Sequence, residues 1–65
     1  MNDTEFRLAL SRAILNMNAR RAAALRLMMK AMSEGWLNVA RDFLRTVESC
    51  DDGLRVARRK MRGIK

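Results

Sequence analysis

Residues 36–64 read WLNVARDFLRTVESCDDGLRVARRKMRGI, and within them Trp36, Ala40, Phe43, Val47, Cys50, Leu54, Ala57, Met61 and Ile64 alternate four and three residues apart, every one apolar. That is a heptad seam, the pattern of a helix that buries one narrow stripe against another helix. The seam stays in phase across Asp51-Asp52-Gly53, although those residues have the composition of a helix stop and a glycine costs about 1 kcal/mol in a helix interior. A broken helix has little reason to keep its phase. The spacing therefore predicts one helix over about 36–62, with 51–53 as the place where it would break.

Upstream, Ser33-Glu34-Gly35 is the clearest stop in the chain, with Gly35 suited to the left-handed position that follows a helix. Before it, Phe6, Leu10, Ala13, Ile14, Met17, Ala24, Leu27, Met28, Ala31 and Met32 recur at helical spacing, with Asp3 or Thr4 as N-cap. This predicts a first helix over about 4–33, which would bend, if anywhere, at the weak helix formers Asn16 and Asn18. Two long helices and a tight turn make an antiparallel helical hairpin, so the expected fold is all-α and residues 1–65 form a single helical domain. With the turn near Glu34, residue i lies opposite roughly 69 minus i, the register of a simple hairpin. Arg20 and Arg21, awkward at the margin of the apolar stripe, then come beside Glu48, Asp51 and Asp52.

A second apolar pattern remains after the hairpin is closed. Leu8, Leu15, Ala22 and Met29 lie seven apart on the far side of the first helix, and Leu37 and Leu44 form a shorter stripe on the second. A two-helix hairpin has no interior to receive them. A chain of 65 residues also buries barely enough surface to offset its conformational entropy. Both considerations predict a homo-oligomer, most simply a two-fold dimer forming a four-helix bundle with these six residues at the interface.

Chemistry of the catalytic kind has little raw material here. The chain has no His and a single Cys, and it lacks a Gly-rich phosphate loop and a nucleophile elbow. No catalytic residue, metal ligand or cofactor is assigned, and the protein is expected not to be an enzyme. Glu48, Asp51 and Asp52 are read as charge balance for Arg20 and Arg21, and Cys50 as a small buried hydrophobe. The lone Cys fits a reducing cytoplasm, and no apolar run approaches membrane-spanning length.

Positive charge is the informative feature. Fourteen Lys and Arg stand against seven Asp and Glu, and eleven of the fourteen are Arg. From Leu54 to Lys65 there is no acid, while Arg55, Arg58, Arg59, Lys60, Arg62 and Lys65 supply six cations. The hairpin register brings Arg7 and Arg12 to the same open end. Arg forks match phosphate bidentately, so these eight residues are the expected phosphate-binding surface and nucleic acid the leading partner. A helix-turn-helix alignment on Gly35 puts Glu34 and Arg41 at positions that should be buried, so base readout by that motif is not expected. The alternative partner is a protein, the chain then acting as an adaptor or inhibitor through its exposed apolar face.

In architecture the expected hairpin resembles the Rop type of RNA-binding hairpin dimer. With its small size, its dibasic runs Arg20-Arg21 and Arg58-Arg59-Lys60 and its lack of Pro, the chain is similar to small helical accessory and regulatory proteins of temperate phages and plasmids. That resemblance implies a regulatory role.

Overall fold

The computed structural model describes residues 2–64 and forms an antiparallel hairpin of two helices, α1 (Asp3–Ser33) and α2 (Leu37–Arg62), packed along their length. The all-α hairpin expected from the seam is therefore the fold. Its Cα trace measures 48 × 14 × 14 Å.

The N-cap of α1 is Asn2, rather than Asp3 or Thr4. Asn2 is extended, at φ −84° and ψ 172°, and its Oδ1 accepts the Glu5 N–H at 2.8 Å. This leaves Asp3 and Glu5 inside the first turn, where negative charge opposes the helix dipole. The helix continues through Asn16 and Asn18. It ends as Gly35 adopts φ +78°, with the Trp36 N–H donating to Ala31 O at 2.8 Å and the Gly35 N–H to Met32 O at 3.1 Å. These two bonds satisfy carbonyls that the last turn would otherwise orphan, and only glycine takes that backbone without strain.

α2 runs unbroken across Asp51-Asp52-Gly53. The Met17 side chain packs over the glycine inside it, where a Cβ at Gly53 would stand 2.6 Å from Met17 Sδ. The glycine makes room for the methionine. Along α2, Ala40, Val47, Cys50, Leu54 and Ala57 are buried, and Phe43, Met61 and Ile64 half-buried. Trp36, at the turn, is exposed.

α1 follows the same alternation more closely than its composition suggests. Leu10, Ile14, Met17, Arg21, Ala24, Met28 and Ala31 are its buried or half-buried positions spaced four and three apart, and Ala13 flanks them. Phe6, Leu27 and Met32 are exposed, because each falls one residue off that alternation. Arg21 occupies a seam position instead of a margin. Its Nε donates to Asp51 Oδ1 at 2.6 Å, whereas Asp52 faces Arg55 on its own helix, and Arg20 and Glu48 make no ion pair among the described residues. Arg21–Asp51 and Met17–Gly53 place α2 one to three residues further along than the expected register.

Four of the seven core residues buried among the described residues are Ala, so the helices enclose little. A compact monomer of this mass exposes about 4,200 Å². This hairpin exposes 5209 Å².

Candidate nucleic-acid interface

Charge is distributed along the rod rather than between the helices. The turn half, residues 18–52, carries six cations and five acids, while the open half carries eight cations against Asp3 and Glu5. Six of the seven net positive charges therefore lie at the open end. α2 supplies most of them, because the seam takes its apolar positions and leaves Arg to the rest of the circumference.

The structure separates these basic residues into groups. Arg55, Arg58 and Arg62, spaced three and four apart, share one side of α2 and with Asp51 and Leu54 line an open cleft of about 390 Å³. Arg59 and Lys60 project from other sides of the same turn, since each residue advances about 100° around the helix. All five are exposed, as are Arg7 and Arg12 on α1. By the observed register Arg12 lies level with 58–60 and Arg7 with 63 and 64. Lys65 lies outside the described residues.

The cleft holds one negative group, Asp51, which Arg21 already engages from the other helix. Arg55 reaches Asp52 at only 3.7 Å, with both side chains about seven-tenths exposed, an ion pair of little energetic weight. Among the described residues, no acid pairs with Arg58, Arg59, Lys60 or Arg62. The guanidinium groups of Arg58, Arg59 and Arg62 thus have no intramolecular acid to leave before meeting an anion.

The six residues of the second apolar stripe, Leu8, Leu15, Ala22, Met29, Leu37 and Leu44, are all exposed. Near the turn Leu37 and Leu44 join a feature that spacing alone did not reveal. Met28 and Met32 of α1 and Leu37, Ala40, Arg41 and Leu44 of α2 line an apolar groove of about 270 Å³ between the helices. The signal was present in Met28 and Met32, four apart, but both also fit the intrachain stripe. Elsewhere, Cys50 is buried. Among the described residues no three His, Cys, Asp or Glu side chains converge, and no helix is long and apolar enough to cross a membrane.

Compared with protein-family models, with curated proteins and with solved structures, the chain matches none.

Proposed function

We propose that this chain is a non-enzymatic, oligomeric nucleic-acid-binding protein with a regulatory or accessory role, which grips phosphates with its open end. The observation that carries this reading is the concentration of six of seven net charges in that half, on exposed arginines largely free of intramolecular acids. A helix dipole alone accounts for about half a charge at the α2 C-terminus, far less than six basic residues would neutralise. Arginine favours phosphate over a generic acidic surface because its fork is planar and bidentate.

Such contacts position a protein without reading bases. Affinity for mixed-sequence duplex or single-stranded RNA should fall steeply with salt, each neutralised duplex phosphate contributing a log–log slope of about −0.9. Replacing Arg58, Arg59 and Arg62 by Gln should weaken binding to all sequences alike and flatten that slope, with helicity retained. Absence of wild-type binding at low salt would overturn the reading. The apolar groove would then make an adaptor or inhibitor of another protein the better account.

A further inference from the structure

Beside its seam α2 carries a second strip, in which Leu37, Arg41, Leu44, Glu48, Asp51 and Arg55 follow one another four and three residues apart. The first three wall the apolar groove near the turn, and the last two belong to the arginine cleft. Groove and cleft therefore lie on one side of the rod, with Arg41 and Arg58 about 25 Å apart along the helix at 1.5 Å per residue. We infer that the groove holds an acidic amphipathic helix of a partner protein, so that the chain joins that protein to the nucleic acid at its open end. The joining clause rests on the proposed phosphate binding, whereas the groove's occupant does not.

The walls specify a helix. Both are helical, so they offer no strand edge to an extended peptide. Met28 and Met32 stand four apart on α1, and Leu37 and Leu44 seven apart on α2, so an occupant meets apolar side chains over two turns, about 10 Å. Apolar residues at i, i+3, i+4 and i+7 of a helix cover that length. Methionine walls adapt to whatever side chains enter. Met29, Trp36 and Leu37, each more than half exposed, supply further apolar contact near the turn, and tryptophan is among the residues that dominate such interfaces.

Charge selects which helix enters. Between residues 22 and 47 there are four cations and two acids. Lys30 holds Glu34 at 3.2 Å and Arg45 reaches Asp42 at 3.9 Å, whereas Arg26 and Arg41 pair with no acid among the described residues. Arg41 lines the groove itself, and Arg26 stands three residues before Met29 on the other helix. An occupant with Asp or Glu beside its apolar positions meets these guanidinium groups, and a basic one is repelled. A second copy is the poorer occupant. Groove on groove with the rods antiparallel, its two-fold axis passes close to Arg41 and sets it against Arg41 of the partner subunit. With the rods parallel, two open ends of net charge +6 lie side by side. A wall about 10 Å long also falls short of the roughly 800 Å² that a stable dimer takes from each copy.

The test uses the full chain as bait for a displayed library of helical peptides, with Leu fixed at i, i+3, i+4 and i+7 and Glu or Lys at every polar position. Selection at physiological salt, where the Debye length is about 8 Å, screens the groove from the distant arginines. Glu-rich peptides should be enriched. Leu37→Gln with Leu44→Gln, both sites exposed in the hairpin, should weaken a selected peptide at least tenfold and leave duplex binding at low salt as it was. Arg41→Glu should move the selection toward Lys. The open end also attracts acidic peptides, so the variant with Arg58, Arg59 and Arg62 replaced by Gln is the control, and it should hold the peptide within about threefold. No enrichment, enrichment blind to charge, loss of the peptide in that control, or binding unchanged by the groove substitutions would overturn the inference. So would a wild-type dimer that the groove substitutions dissociate, which gives the groove to a second copy, or retention on phosphatidylcholine vesicles that they abolish, which gives it to lipid. If the double variant loses helicity, the charge preference of the wild type against Arg41→Glu decides. A wild type that holds no duplex removes the phosphate reading and leaves the peptide result standing.

Discussion

The turn half and the open half of this hairpin share one seam and differ in nearly everything outside it. Around the turn, Ala24, Ala31 and Ala40 are buried, and the outer surface carries an apolar groove and nearly balanced charge. Toward the open end the larger Leu54 takes over part of the seam and the surface turns basic. Because the same two helices build both halves, the division is made by what flanks the seam. A continuous seam can thus carry a neutral, sticky segment and a charged one without a domain boundary.

The sharpest way to break this contrast is to move equal charge from each half. Replacing Arg58, Arg59 and Arg62 by Gln should flatten the salt slope on duplex by about 2.7, which at 0.1 M salt is roughly a 500-fold loss of affinity. Replacing Arg20, Arg26 and Arg45, from the turn half, should cost only a few-fold. Equal losses in the two triple variants would mean that net charge, rather than its placement, drives binding.

A second contrast lies inside the seam. Leu54 is 4% exposed and is the largest of the buried core residues, so Leu54→Ala should destabilise the fold by about 2–5 kcal/mol in a denaturant titration. Leu37→Ala, at an exposed site of the turn half, should change stability far less in a monomer. A comparable loss there would show that the groove is covered in solution.

Gly53 sharpens the comparison at the boundary between the halves. Read from sequence alone, Gly53→Ala should gain up to about 1 kcal/mol of helix propensity. The new Cβ meets Met17 Sδ at 2.6 Å, so the end of this flexible side chain must swing aside, which takes back part of that gain. The expected result is a gain below about 1 kcal/mol in the native background and the full gain of about 1 kcal/mol once Met17 is Ala. A double-mutant cycle on thermal unfolding measures the difference.

Much of the fold was legible because the hairpin is encoded locally. Gly35 had one conformational use, and the alternation through Ala40, Val47, Cys50, Leu54 and Ala57 fits one helix facing one partner. What was not legible depended on how α1 is rotated about its axis. Leu27 and Met28 differ by only about 100° there, and the sequence of α1 tolerates either at the seam. Arg21 was assigned to a margin for the same reason, since a charged residue at a seam position is permitted only by Asp51 on the other helix. The basic end was visible as a run of residues, but the cleft of Arg55, Arg58 and Arg62 depends on where α1 leaves them uncovered. Met17 against Gly53 carried no signal in either helix alone.

The smallest expected effect is at Arg21–Asp51, and its size reports on what covers the middle of the rod. The two side chains are 38% and 44% exposed in the isolated hairpin, at a contact of 2.6 Å. An ion pair so open to water is worth at most about 1 kcal/mol, and Asp51→Asn should cost no more than that. The cost should shrink at 1 M salt, where the Debye length is about 3 Å. Replacing both partners, Arg21→Leu with Asp51→Ala, should restore or exceed the original stability, because a seam position regains an apolar residue and no charge is left alone. A loss above about 2 kcal/mol for Asp51→Asn, insensitive to salt, would require the pair to be shielded by more than this hairpin supplies. That outcome would point to a second copy as the cover, and its dependence on protein concentration would decide the matter.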